Sequence, residues 1–311
     1  MNGQKNAWKP AMTLKAAVHL AAPHTWSASV LPVLLGSALA AARGSGLKPW
    51  IVFLTLIVAV LLQSAVNTLN DYRDFVSGVD TAENCLDETD AALIYECSSP
   101  KAAACLGLLF LLCAAVFGAV LTALCSWRML LYGAAALAAL LLYTLPRISF
   151  SALPLGELLS GGAMGGVLTC AAYHAQTGSI DWLTVFYTLP AVITIGGIMQ
   201  VNNTCDIEKD REGKRYTLPV LIGRSASEKL LRALLVLAAA GVGLIIALRF
   251  PAGDALLPVM ILALLLAPSV REIFVKPISP ERRGESMRGV LSAHKLIISC
   301  YTMALVFSCL A

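Results

Sequence analysis

The sequence predicts an all-α integral membrane protein, and its composition is the first reason. Of the 311 residues, 58% are hydrophobic and only 14% are charged, whereas an ordinary soluble domain carries about 25% charged residues. The mean hydropathy is +0.76. The second reason is the recurrence of apolar runs of about 20 residues, the length at which a helix crosses a bilayer. These features exclude a soluble enzyme.

The apolar runs predict nine transmembrane helices in one domain over residues 1–311. We place them at 24–42, 49–69, 102–125, 129–146, 154–176, 182–202, 230–249, 254–271 and 291–310. Prolines inside the first and eighth runs are compatible with spans, because neighbouring helices can satisfy the backbone groups that proline leaves unbonded. The fifth run contains SGGAMGG at 160–166, which favours close helix packing. Approach of a ligand to that backbone is the alternative.

The distribution of lysine and arginine predicts the orientation. With the N-terminus in the cytoplasm, 19 of the 23 Lys and Arg residues fall inside and four outside, in agreement with the positive-inside rule. The three long loops, about 70–101, 203–229 and 272–290, then lie in the cytoplasm. We expect a multi-pass protein of the cell membrane whose chemistry faces the cytoplasm, and no nucleic-acid partner.

A first polar cluster follows the second apolar run, in the stretch NTLNDYRDFVSGVD at 67–80. Asn70 and Asp74 are four residues apart and therefore share one face of a continuing helix. Asp71 lies on the adjacent stripe, and Asp80 follows Gly78.

A second cluster follows the sixth run. Asn202, Asp206 and Asp210 are spaced at i, i+4 and i+8, which places them along one slowly drifting stripe of a helix. Both clusters come at the inside ends of their spans, so we expect them at the same membrane depth.

Carboxylate and carboxamide oxygens are the ligands that magnesium prefers, usually together with substrate phosphate and water. Two facing clusters of this kind predict a site for magnesium ions bridged by a diphosphate. The alternative is that the acids are simply solvated next to the loops. The bases beside the second cluster suit an anionic substrate or ordinary positive-inside topology; they are Lys209, Arg211, Lys214 and Arg215.

Together the stretches NDYRDFVSGVD (70–80) and NNTCDIEKDREGKRYTLPVLIG (202–223) resemble the two Asp-rich motifs of the UbiA superfamily of intramembrane aromatic prenyltransferases. The resemblance extends to YTLPRISFSALPLGELLSGGAMGG (143–166). Within the superfamily the residues look most like the 1,4-dihydroxy-2-naphthoate polyprenyltransferases of menaquinone synthesis.

The resemblance implies nine transmembrane helices around a central cavity that opens to the cytoplasmic side, with a lateral opening to membrane lipid. It implies Mg²⁺-dependent transfer of a polyprenyl group from its diphosphate to an aromatic acceptor. The acceptor would be 1,4-dihydroxy-2-naphthoate, with loss of its carboxylate.

The resemblance also implies roles for individual residues. Asp74, Asp206 and Asp210 would be catalytic. Magnesium and diphosphate would be held by Asn70, Asp74, Asn202, Asp206 and Asp210, with Asp71 and Asp80 in support. Lys214 or Arg215 would contact phosphate; both stay open, because the family's lysine usually lies two residues before the threonine, where this chain has Arg215. Tyr143 and Arg147 complete the expected substrate contacts.

One departure concerns the segment after the first motif, where the family usually has basic residues. Residues 71–101 carry eight acids and two bases, and the acids after the motif fall mainly in 83–96. A solvated cytoplasmic cap is one interpretation. A different acceptor, or extra metal sites, is the other.

The alternative functions are a prenyltransferase with another acceptor and an ion-coupled membrane transporter. Intramembrane acids also mark ion pathways in transporters. A transporter would place such acids near mid-span, whereas here they cluster at one end of the spans.

Overall fold

The computed structural model describes residues 12–78, 92–95, 99–144 and 150–310. Every regular element in these ranges is helical, which confirms the all-α prediction. Asp80, Arg147 and nearly all of the acidic segment 83–96 lie outside the described residues.

The helices follow one another in the order predicted, with several interruptions. Their bounds are α1 Leu14–Ala21, α2 Ser27–Ala42, α3 Pro49–Val76, α4 Ala92–Tyr95, α5 Pro100–Leu124, α6 Met129–Thr144, α7 Gly156–Ser160, a π-helix Gly161–Val167, α8 Leu168–Thr177, α9 Trp182–Tyr187, α10 Leu189–Cys205, α11 Ile207–Glu212, α12 Leu218–Ile222, α13 Arg224–Arg249, α14 Leu256–Leu266, α15 Pro268–Val275 and α16 Arg283–Leu310.

The membrane-spanning character of the fold is clear, but the count of nine spans is not confirmed. Within the described ranges, five helices are long and apolar enough to cross a membrane, and two further pairs could each form a span bent by 50° or 65°. The helix Met129–Tyr143 is apolar but shorter. Ala22, with a left-handed φ of 48°, ends α1 inside the first member of the first pair. The second bend has a local cause: Pro268 begins a new helix, because proline cannot continue the hydrogen-bonding of the preceding helix.

The segment SGGAMGG packs closely against a neighbouring helix, as the first of its two interpretations predicts. It forms the π-helix and lies against α10 so closely that a Cβ added at Gly165 would be 2.4 Å from the backbone nitrogen of Val192. A Cβ at Gly161 would be 2.4 Å from the Val192 carbonyl oxygen. Only glycine permits this approach of two backbones. Ala163 and Met164 of the same helix line the cavity described below.

We expect Gly165→Ala to lower the free energy of unfolding by about 1–3 kcal/mol, because the added methyl group forces the π-helix away from α10. Gly162→Ala is the matched control. Its added Cβ meets nothing within 4 Å, so the variant should be neutral or up to about 1 kcal/mol more stable. Thermal unfolding in one detergent compares the two. Equal stability of both variants would contradict this account of the packing.

A polar cluster ties α2 to α9 at the end of the bundle opposite the Asn/Asp motifs. Arg43 donates to Asp181 Oδ2 at 2.7 Å and to the hydroxyl groups of Tyr173 and Thr184 at 3.0 and 2.9 Å. Asp181 in turn accepts from the backbone nitrogen of Thr184 at 2.8 Å and caps α9. The hydrogen bond from Arg43 holds the pKa of Asp181 well below its usual range. This end of the bundle is therefore fixed by structural contacts.

Candidate active site

One large cavity of about 960 Å³ runs through the helices and is polar at one end. Its walls come from α1, α2, α3, α5, α6, α7, the π-helix, α8, α10, α11 and the start of α16. Along α3 it extends from Asp74 to Thr55, which at 1.5 Å per residue is about 28 Å. Leu112 of α5 lines the cavity and is 63% exposed. The cavity is therefore long and mostly apolar.

The first motif lies at the polar end, on the last turns of α3. The Asn70 amide donates to Asp74 Oδ2 at 3.1 Å, so the two side chains share one helix face. Arg73 donates to Asp74 Oδ1 at 2.6 Å and to the Tyr143 carbonyl at 2.9 Å. Asn70, Asp71, Asp74 and Tyr143 all line the cavity. The Tyr143 hydroxyl lies 3.5 Å from Met199 Sδ.

The second motif reaches the same polar end from the junction of α10 and α11. Asn202 and Asp206 line the cavity, and both are bound by one arginine from the start of α16. Arg283 Nη1 donates to Asp206 Oδ1, and Arg283 Nη2 donates to Asn202 Oδ1 at 2.6 Å.

Among the described residues of the site, Asp210 is the most deeply buried carboxylate, at 2% exposure. It accepts from Thr217 Oγ1 at 3.0 Å and lies 3.4 Å from Arg215 Nε. Burial raises the pKa of Asp210 to about 6, against the lowering effect of Arg215. An ionised carboxylate in this position is costly to bury, and a nearby cation offsets that cost.

The turn after α11 distinguishes the two predicted phosphate contacts. Lys214 has a left-handed φ of 54° and is exposed. This turn brings Arg215 back onto Asp210, whose carbonyl accepts from the Arg215 backbone nitrogen at 2.7 Å. Arg215 lines the cavity, and Lys214 is not among its lining residues.

The site contains hard oxygen donors in kind and number suited to magnesium. In the part of the chain that the structure describes, no three His, Cys, Asp or Glu side chains come together as a metal cluster. Magnesium, however, needs only one or two carboxylates alongside substrate phosphate and water, and the asparagines add amide oxygens. Asn70 Oδ1 is buried without a hydrogen-bond partner, an arrangement that a cation would relieve. The donor set therefore fits magnesium.

The sequence analysis assigned no role to several residues in or beside the cavity. Arg283 was counted there only as a loop charge. Asn203 donates to Glu157 Oε1 at 2.8 Å, next to the second motif. Asn67 and Gln63 precede Asn70 by about one and two helical turns. They donate to Thr25 Oγ1 at 3.1 and 3.2 Å. The stripe Gln63, Asn67, Asn70 and Asp74 has helical spacing and could have been read from the sequence. The contact of Arg283 with residues some 80 positions away could not.

The fold and the site define a helical membrane protein with an acid- and amide-rich end to a long lipid-sized cavity. Residues 29–293 match the UbiA prenyltransferase family. The chain belongs to this family and is a prenyltransferase, as the residues of the two motifs indicated. Membership favours the enzyme over the transporter alternative.

Sequence relatives agree with this assignment. The chain is 35% identical over 215 residues to the 1,4-dihydroxy-2-naphthoate octaprenyltransferase of Bacillus subtilis, covering 69% of this chain and 68% of that protein. It is 33% identical to the UbiA prenyltransferase domain-containing protein 1 homolog of Drosophila melanogaster, covering 72% of this chain and 62% of that protein.

Solved structures show the same fold. A UbiA homologue from Aeropyrum pernix K1 aligns with a TM-score of 0.65 at 16% identity, covering 93% of this chain and 98% of the other. A UbiA homologue from Archaeoglobus fulgidus, bound to DMAPP and Mg²⁺, aligns with a TM-score of 0.60 at 18% identity, covering 94% and 99%.

Proposed function

We propose that the protein transfers a polyprenyl group from polyprenyl diphosphate to 1,4-dihydroxy-2-naphthoate in menaquinone biosynthesis, in a Mg²⁺-dependent reaction. The observation that carries the proposal is that both Asn/Asp motifs line one end of a single long apolar cavity. The similarity to a naphthoate octaprenyltransferase supports the acceptor. The charge asymmetry of the loops supports a cell-membrane protein with this end facing the cytoplasm. We propose that residues 1–311 form one such domain of nine spans.

The polar end would hold the diphosphate together with magnesium. We assign the metal contacts to both motifs: Asn70, Asp71, Asp74, Asp80, Asn202, Asp206 and Asp210. Bound magnesium would supply Lewis-acid stabilisation of the charge that develops on the departing diphosphate. Arg215 is the better placed of the two candidate phosphate contacts, and Arg147 and Tyr143 remain proposed substrate contacts.

The charges of the site fit this ligand. The described residues that line the polar end include four carboxylates and three cationic side chains, a formal charge of −1; they are Asp71, Asp74, Asp206, Asp210, Lys209, Arg215 and Arg283. Arg73, paired with Asp74, brings this to zero, and two magnesium ions with a trianionic diphosphate would add +1. The loaded site would then carry no more than one net charge next to the bilayer core, where a larger charge is costly.

The apolar length of the cavity would take the polyprenyl chain and exclude water. Since an allylic cation reacts rapidly with water, exclusion protects the intermediate until the acceptor ring attacks. We propose that the chain extends into lipid through a lateral opening near Leu112, which lines the cavity and is 63% exposed.

The proposed reaction replaces the carboxylate of the acceptor with the prenyl group. The bond between the first prenyl carbon and the diphosphate oxygen breaks, and a bond from that carbon to the ring carbon bearing the carboxylate forms. The carboxylate then leaves as CO₂, and its bonding pair restores the aromatic ring. The products are prenylated naphthoquinol, CO₂ and diphosphate.

The polar stripe of α3 beyond Asn70 is the proposed acceptor contact. Gln63 Oε1 is buried without a hydrogen-bond partner and lines the cavity, so it can accept from a ring hydroxyl. We expect Gln63→Ala to raise the KM for the acceptor by roughly tenfold while the KM for the prenyl donor stays unchanged. Gln176→Ala is the control, because Gln176 bonds to Lys48 at the other end of the bundle. An unchanged acceptor KM in Gln63→Ala would contradict this contact.

A panel of acceptors tests the substrate assignment. Magnesium-dependent diphosphate release should be stimulated by 1,4-dihydroxy-2-naphthoate more than by 4-hydroxybenzoate or a naphthoquinol without the carboxylate. If another acceptor stimulates diphosphate release more strongly, prenyl transfer stands and that acceptor replaces 1,4-dihydroxy-2-naphthoate in the proposal. The acidic segment 83–96 is the sequence feature that favours this second candidate.

A further inference from the structure

Arg283 joins the last long helix to the second motif. It stands at the first position of α16, and its side chain is 16% exposed, so it is largely enclosed by the site. Its two terminal nitrogens bind Asp206 Oδ1 and Asn202 Oδ1. A planar guanidinium fork suits such a pair of oxygens, with one N–H directed to each.

Asp206 and Asn202 are two of the residues that the proposed function assigns to magnesium, and Oδ1 is the only side-chain oxygen of Asn202. A guanidinium and a magnesium ion cannot bind the same oxygen lone pairs at once, and their like charges repel at such a short separation. The first motif differs, because Asp74 is bound by Arg73 from the same helix turn, while Asn70 Oδ1 has no hydrogen-bond partner. The Arg283 guanidinium must therefore leave Asp206 Oδ1 and Asn202 Oδ1 before magnesium can bind these oxygens.

The backbone around Arg283 is held separately from its side chain. Arg282 donates to Glu285 at 2.6 Å and to the Pro277 carbonyl at 3.0 Å, and Gly289 packs α16 against Ser269 and Ile273 of α15. The guanidinium can thus change partners without movement of the helix.

We propose that Arg283 is an exchangeable counter-ion: it neutralises Asp206 until magnesium binds, and it then binds the diphosphate that enters with the metal. The inference rests on the proposed function. Arg283 lines the same cavity end as Lys209 and Arg215, and a guanidinium displaced from a carboxylate beside a diphosphate gains a bidentate phosphate partner. Arg283 is in this sense a substrate-binding residue that competes with the metal.

The proposal predicts effects of opposite sign on two ligands. Without diphosphate, Arg283→Gln should bind Mn²⁺, used as a paramagnetic substitute for Mg²⁺, about threefold to tenfold more tightly than the wild type, because the competing cation is gone. At saturating metal, the same variant should bind a non-hydrolysable prenyl thiodiphosphate about tenfold more weakly. A merely structural role for Arg283 would weaken both.

Arg288→Gln is the matched control, since it removes the same charge from an exposed position of α16 and should change neither affinity. Arg283→Lys keeps the charge and should leave the Mn²⁺ affinity near the wild-type value. That result would show that the tighter binding in Arg283→Gln comes from the loss of charge and not from misfolding. Mn²⁺ binding is measured by electron paramagnetic resonance on purified full-length protein.

Asp206→Asn distinguishes a failure of the counter-ion inference from a failure of the metal assignment. If Asp206→Asn weakens Mn²⁺ binding but Arg283→Gln does not tighten it, the counter-ion inference is overturned and the metal site stands. If Asp206→Asn has no effect on Mn²⁺ binding, both the metal assignment and the inference fail.

Discussion

Replacing Asp206 with asparagine is expected to reduce turnover by about a thousandfold while the protein stays folded. The change keeps the shape of the side chain but removes the negative charge that would hold magnesium against the departing diphosphate. Loss of one well-placed electrostatic contact to a transition state costs about 10²–10³ in rate, and here the metal itself is weakened as well. Steady-state release of diphosphate at saturating prenyl donor and magnesium measures the effect, and Asp74→Asn should behave alike.

Glu208→Gln is the control for this variant. It makes the same carboxylate-to-amide change two residues away, but Glu208 is exposed and paired with Arg224 at 2.6 Å, outside the residues that line the cavity. Its turnover should stay near that of the wild type. Substantial residual activity in both Asp206→Asn and Asp74→Asn would show that the two motifs do not hold the metal.

Filling the apolar cavity is expected to change which donors the enzyme accepts. Gly118 of α5 lines the cavity, and an added Cβ there meets nothing within 4 Å. It lies about 27 Å along the helix from Pro100, at 1.5 Å per residue. We expect Gly118→Trp to lower kcat/KM for an octaprenyl diphosphate by at least about tenfold, because the indole displaces part of the chain. Geranyl diphosphate should be affected much less.

Gly243→Trp provides the comparison for this experiment. Gly243 also has nothing within 4 Å of an added Cβ, but it lies on α13 and does not line the cavity. The variant should keep the donor preference of the wild type. An unchanged preference in Gly118→Trp would mean that the chain leaves the cavity before it reaches Gly118.

Local periodicity explains how much of the fold and site could be predicted. The apolar runs gave the all-helical membrane class, and the spacing of Asn70 and Asp74 placed them on one face of α3. The number of spans could not be confirmed, because backbone breaks interrupt apolar runs that are continuous in sequence. Pro268 begins a new helix within the predicted run 254–271, and the π-helix at Gly161 splits the run 154–176.

The missed parts of the site depend on tertiary contacts. Arg283 is 77 residues from Asp206 in the chain, and nothing in its local sequence indicates that partner; loop basicity alone explained its presence. Glu157 meets Asn203 across the contact between α7 and α10, where the glycines of the π-helix region let the segments pack closely. Periodicity identifies which residues share a face, whereas helix packing decides which faces meet.

The most direct test is mass spectrometry of the products formed by purified protein from a polyprenyl diphosphate and 1,4-dihydroxy-2-naphthoate, with Mg²⁺ and again with EDTA. The account predicts a prenylated naphthoquinol whose mass shows the loss of CO₂, formed with Mg²⁺ and absent with EDTA. Product formation that continues undiminished in EDTA would contradict the role given to the two Asn/Asp motifs. The absence of any prenylated product, with no release of diphosphate, would contradict the proposed reaction itself.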